Sequence, residues 1–263
     1  MTQALRRHWP EYLMEGALLG LFMASAVLFT ALLEHPGSPL RGAMPSATAR
    51  RVVMGLLMGS TAVALIYSRW GQRSGAHFNP SVTLTFLRLG KVAPWDALFY
   101  VTAQFAGGLL GVLAASAAAR MVFAHPAVRF AATVPGPRGA GWAFAGETVI
   151  SFFLMLTVLV VSNRRRIAPR TGLCAGTLVA LYISVEAPLS GMSMNPARTV
   201  ASALPAGAFP ALWVYLTAPL LGMLLAAQAY TTLGGARAVA CAKLHHDNPA
   251  RCIFRCGYQG ASA

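Results

Sequence analysis

Charge is what this sequence has least of. Only 11% of its 263 residues are Asp, Glu, Lys or Arg, against roughly 25% in soluble globular domains, and just seven are acidic. With 56% of residues apolar and a mean hydropathy of +0.58, this does not describe a soluble enzyme, a coiled coil or a disordered chain. Cysteine is scarce too. Cys174 lies in an apolar stretch and Cys241, Cys252 and Cys256 fall in the last 23 residues, which excludes a disulfide framework. Also missing are a Ser-His-Asp set, a His-Glu-x-x-His helix and a phosphate-cradling loop, so neither an enzyme nor a cofactor is expected.

What is present is long apolar runs. Six occupy about 12–33, 52–67, 95–119, 142–162, 171–188 and 209–232, each near the ~20 residues that a helix needs to cross ~30 Å of hydrocarbon. The first begins with Glu11 and Glu15 and is followed by no small-residue cleavage site before Glu34, so it reads as a retained helix. The net charge of +14 would suggest nucleic acid in a soluble protein. Here the basic residues sit between spans, with a side preference. Six spans put both termini on one side, and that side holds fourteen of the 21 Lys and Arg, among them Arg164, Arg165, Arg166 and Arg237. By the positive-inside rule both termini are expected in the cytoplasm, and no nucleic-acid partner is expected.

The two halves of the chain resemble each other. Glu15 and Glu147 come early in spans one and four, Asn79-Pro80-Ser81 follows span two, and Asn195-Pro196-Ala197 follows span five. Three spans per half is an odd number, so the repeats insert in opposite orientations, a transport architecture whose halves meet at the bilayer midplane. Asn is a favoured N-cap and Pro suits the first helical position, so both motifs read as the starts of short helices. Irregular backbone at membrane depth survives only beside a polar cavity. Opposed half-helices would aim about half a positive charge each at that cavity, and the Asn79 and Asn195 amides could donate to a neutral solute within it.

These paired motifs resemble those of the aquaporin family, the major intrinsic proteins. The similarity spans roughly residues 8–232 and includes Arg198 after the second motif, Ser-Gly-Ala-His77 before the first, Gln104, Trp213 and Pro219. The run Gly71-Gln72-Arg73-Ser74-Gly75 is similar to bacterial members. The resemblance implies an all-α membrane fold of six transmembrane helices plus two re-entrant half-helices, a homotetramer with one pore per subunit, and passive flow of water and small uncharged solutes. It also implies a four-residue constriction, which counting from the motifs places at Gly59, Ile183, Met192 and Arg198. That set lacks the Phe and His of strict water channels, and Gly59 lacks the aromatic of glycerol facilitators, so a wide, apolar constriction is expected. Thr199 and Tyr215 are water-type and Leu216 glycerol-type, and the solute stays open between water, glycerol, urea and metalloid hydroxides.

Intramembrane carboxylates are functional by default. Glu15 and Glu147 are expected to hold the re-entrant loops, as the resemblance implies, with an ion-coupled transporter as the alternative. His77 is expected to pack within its loop. Ser81 stands where Ala is usual, and Glu186 faces either the mouth or headgroups. Residues 1–236 are read as the channel domain, with repeats about 8–120 and 140–236, and residues 237–263 as a basic tail. There Cys241, His245, His246, Cys252 and Cys256 form a candidate soft-metal set; the alternative is an exposed tail with free thiols near anionic lipid. The setting expected is a cell's inner membrane, with lipid, water, small neutral solutes and further copies of the chain as partners.

Overall fold

The computed structural model describes residues 1–234 and 239–258; Arg237 and the expected boundary at 236/237 lie outside them. Among the described residues the fold is all-helical, with six helices long and apolar enough to cross a membrane. We label the spanning helices and the two half-helices in chain order: α1 Thr2–Glu34, α2 Ala47–Tyr67, α3 Pro80–Arg88, α4 Pro94–Ser116, α5 Ala140–Ser162, α6 Thr171–Val185, α7 Pro196–Ala206 and α8 Leu212–Gly234. The first helix starts ten residues before its apolar run and carries Pro10 inside it. Conversely, α6 ends early, and a one-turn helix at Ala187–Ser190 leads from it into the second loop. All five tryptophans are roughly half exposed, as expected of rings at a membrane–water boundary.

Packing follows the repeat. In the first half α1 lies against α4, in the second α5 lies against α8, and α2 and α6 pair across the two halves. Each half-helix also packs on the third span of the other repeat, α3 on α8 and α7 on α4. Glycine makes the closest crossings possible. A Cβ at Gly20 would sit 2.9 Å from the Gly107 carbonyl oxygen, and one at Gly107 or Gly111 would meet the backbone of Gly16 or Gly20. Lipid offers helices no hydrophobic drive to associate, so close backbone contact through small residues stands in for it.

Both half-helices begin as the Asn-Pro motifs predict. Asn79 and Asn195 are extended N-caps whose side-chain oxygens accept from the amides of Ser81 and Arg198. The helices that follow have nine and eleven residues, too short to span. Beyond its end, α3 meets the tail, where the Arg255 amide donates to the Lys91 carbonyl, whereas α7 packs on the loop carrying Phe130 between α4 and α5. The half-helices therefore point away from each other, with their N-termini adjacent.

Candidate functional site

The N-termini meet at a pair of reciprocal contacts. Asn79 Nδ2 donates to the Met194 carbonyl at 2.7 Å, and Asn195 Nδ2 donates to the Phe78 carbonyl at 2.8 Å. Each carboxamide thus caps its own helix with its oxygen and ties down the opposite loop with one N–H. A primary amide carries two N–H donors, which leaves one on each Asn. Pro80, Ser81, Pro196 and Ala197 are buried behind the asparagines. The Ser81 hydroxyl has no partner among the described residues and bonds neither locally nor to the cavity.

The loops before the motifs are strained in the same way. Gly75 and Gly191 adopt positive φ, as do Ala76, Phe78, Met192 and Met194. Such conformations persist in non-glycine residues only where the surroundings over-determine them. Two buried carboxylates do so. Glu15 accepts from the Ser74 hydroxyl, the His77 and Phe78 amides and Gln104 Nε2 at 2.6–3.0 Å. Glu147 accepts from the Ser190 hydroxyl and the Ser193 and Met194 amides at 2.6–2.8 Å. Tyr100 and Tyr215 complete the pattern by donating to the carbonyls of Ser74 and Ser190. This tyrosine pair is absent from the sequence reading; its signal is a Tyr in the third span of each half, matched to a Ser-Gly before each motif. Glu186 turns inward, with Oε2 accepting from the Ser190 hydroxyl at 2.9 Å, and so does not meet headgroups.

Between the loops runs a cavity of about 350 Å³. It extends from Glu34 and Arg50, which pair at 3.0 Å, past Asn195 and Asn79 to Leu244 in the tail. Ile183, Met192 and Arg198 line it, and the Arg198 Nη1 is buried without a partner among the described residues. Gly59 does not line it. A Cβ there would lie 2.5 Å from the Gly176 carbonyl oxygen and 2.8 Å from Ala180 Cβ, so this glycine serves the α2–α6 crossing together with Gly55. The cavity-facing stripe of α2 is Met54, Met58, Ala62 and Ile66, spaced one helical turn apart. Met58 thus lines the cavity in the place expected of Gly59.

His77 lies inside its loop but also reaches outside it. Its Nδ1 meets the Thr83 hydroxyl, its Nε2 donates to the Ala242 carbonyl at 2.8 Å, and its ring stacks between Phe86 and Phe254. Ala242 and Phe254 belong to the tail, whose first described stretch is docked on the bundle: Val239, Cys241, Ala242, Lys243 and Leu244 are all buried, while Asp247, Pro249, Arg251 and Arg255 are exposed. The tail is therefore not exposed throughout, as the alternative of an exposed basic tail with free thiols would have it. Of its five candidate ligands, the sulfurs of Cys241, Cys252 and Cys256 and a nitrogen of His246 lie within 4.8 Å of one another. His245 stands apart, edge-on to Tyr67 at 5.0 Å. The Cys241 and Cys252 sulfurs are 3.6 Å apart, and their hydrogen bond pulls the Cys252 thiol down to about 4 while pushing Cys241 up.

Comparison with known proteins places these features in a family. Residues 9–230 match the family model described as major intrinsic protein. The chain is 38% identical over 148 residues to a putative aquaporin NIP4-1 of Arabidopsis thaliana, covering 56% of this chain and 50% of that protein. It is 33% identical over 149 residues to nodulin-26 of Glycine max, covering 56% and 53%. The chain therefore spans about half the length of these plant relatives. The aquaglyceroporin of Plasmodium falciparum superposes with a TM-score of 0.67 at 19% identity, over 88% of this chain and 98% of that one, which is a likeness of fold.

Proposed function

The chain belongs to the major intrinsic protein family, and from that premise we propose that it is a passive transmembrane channel for water and small uncharged solutes that excludes protons and cations. The observation that carries this reading is the meeting of Asn79 and Asn195 inside a cavity that runs from Arg50 to Leu244. A cation there faces two half-helix N-termini, each worth about half a positive charge, and then the Arg198 guanidinium. A neutral solute instead finds the spare N–H of each asparagine and the unpaired Arg198 Nη1. Glu15 and Glu147 support passive rather than coupled flow, because their oxygens are already occupied by loop donors.

Solute choice rests on the wall facing Arg198. Met58, Ile183 and Met192 make it apolar, and two of the three are unbranched thioethers that adapt to a guest. That favours solutes with a carbon face, such as glycerol or urea, alongside water. In the membrane, both termini lie on the cytoplasmic side of a cell's inner membrane, as the excess of basic residues on their face supports. Each subunit holds its own pore within a homotetramer.

Stopped-flow light scattering on proteoliposomes tests the reading, with matched water and glycerol gradients and empty vesicles as control. Both fluxes are expected above control. Neither exceeding control, with or without a metal chelator, overturns the channel, and water without glycerol overturns the adaptable apolar wall.

A further inference from the structure

The tail reaches the cavity through Leu244. Residues 239–258 contain no helix or strand, yet four hydrogen bonds tie them to three separate parts of the bundle. The Ala240 amide donates to Asn163 Oδ1, the Leu244 amide to the Gly75 carbonyl, the Arg255 amide to the Lys91 carbonyl, and the Tyr258 hydroxyl to the Ser162 carbonyl. Leu244 lines the cavity and is only 5% exposed. Phe254 presses on Gly75, where any Cβ would collide with its ring. A segment of this size cannot build a core of its own, and short folds of that kind depend on a staple.

We propose that Cys241, His246, Cys252 and Cys256 form a tetrahedral site for one zinc-class divalent ion, and that this ion clamps residues 239–258 as a cap that seats Leu244 in the pore mouth. Three thiolates and one imidazole make a closed donor set suited to zinc, with no position left open for catalysis. Tetrahedral zinc–sulfur bonds of about 2.3 Å place two sulfurs about 3.8 Å apart, and Cys241 and Cys252 stand at 3.6 Å. Cys256 Sγ lies 3.0 Å from His246 Nε2. That leaves His246 Nδ1 on the far edge of the ring, while its face stacks on Tyr258 at 4.5 Å. Binding releases the thiol protons and leaves the centre with a net charge of about −1. The buried Lys243 ammonium lies within electrostatic range of all three sulfurs and offsets that charge.

The link to the pore is short in sequence. Cys241 and His246 bracket Ala242, Lys243 and Leu244, so the two ligands fix both flanks of the residue in the mouth. Ala242 also holds His77 through its carbonyl, which joins the clamp to the first loop. Losing the ion frees both flanks at once. The gate rests on the channel reading above, whereas the metal site does not.

Full-length protein, purified in detergent with reduced thiols, is loaded with zinc, desalted and assayed for metal content, with cobalt(II) as a spectroscopic stand-in. One zinc per chain is expected, with thiolate-to-cobalt absorption. Cys252→Ser and His246→Ala are each expected to weaken retention by at least about 100-fold, and His245→Ala to leave it unchanged. No retention by the unaltered chain overturns the site, as does equal retention by Cys252→Ser. The same protein in vesicles is expected to conduct several-fold more water after chelation, and Leu244→Ala to conduct freely with zinc bound. Equal flux in zinc and chelator, in a chain that keeps its zinc, overturns the gate. If no flux occurs in either state, the channel reading fails instead, and hydrogen exchange at the Ala240, Leu244 and Arg255 amides decides the clamp. Slower exchange with zinc upholds it, and unchanged exchange overturns it.

Discussion

The two re-entrant loops share one scaffold and carry different chemistry. In each, a buried Glu accepts from the loop amides, a Ser hydroxyl reaches that Glu, a Tyr fixes the Ser carbonyl, and an Asn caps the half-helix. The differences face outward from this frame. Three residues after Asn79 stands Val82, and three after Asn195 stands Arg198. Two before Asn79 stands His77, bonded to the tail, and two before Asn195 stands Ser193, bonded to Thr199. Symmetry thus serves the support of strained backbone, while asymmetry gives one mouth a fixed positive charge and ties the other to the tail.

The largest effects are expected where the scaffold is removed. Glu15→Ala strands four donors and Glu147→Ala two, because the Ser190 hydroxyl keeps Glu186 as an acceptor, at about 1–3 kcal/mol for each buried donor left unpaired. Both should lose folded channel in thermal unfolding in detergent, with Glu15→Ala the worse. Equal or negligible losses would break the claim that the carboxylates hold the loops. Next comes Arg198→Ala, which leaves every scaffold bond in place. It is expected to keep near-native stability and water flux while admitting protons, read as collapse of an imposed pH gradient in vesicles; unchanged proton exclusion would move selectivity to the asparagines.

A subtler pair separates neighbours on α2. Met58→Ala should widen the constriction and raise glycerol flux several-fold at modest cost in stability. Gly59→Ala should instead lower the unfolding temperature by crowding Gly176 and Ala180, with solute ratios unchanged among folded molecules. Reversed outcomes would restore Gly59 to the pore. Ser81→Ala is expected to do least. Its hydroxyl has no partner among the described residues, so flux should not move and stability should hold or rise slightly; a changed water-to-glycerol ratio would put that hydroxyl in the cavity after all.

Much of this was legible in the sequence because the signals are local. Apolar runs set the spans, and Asn-Pro after small residues set the half-helix starts, since capping and proline's fixed φ act over two or three residues. The symmetric placement of Glu15 and Glu147 pointed to a shared support role, and each carboxylate does meet its own loop. The assignment of Gly59 failed because hydropathy does not fix the rotation of a helix that is apolar all round. One position along a helix is about 100° of turn, enough to exchange a pore wall for a helix crossing.

The sequence by itself determined six apolar spans and two short helices that start at the Asn-Pro motifs, because hydropathy and capping depend on neighbours along the chain. Only the tertiary structure decided that Met58 and not Gly59 faces the cavity, that four of the five candidate ligands in the tail converge while His245 does not, and that Leu244 lines the cavity. Those outcomes depend on which surfaces pack together across 100 residues or more, and neither hydrophobic period nor local motif encodes that choice in a tail without regular structure.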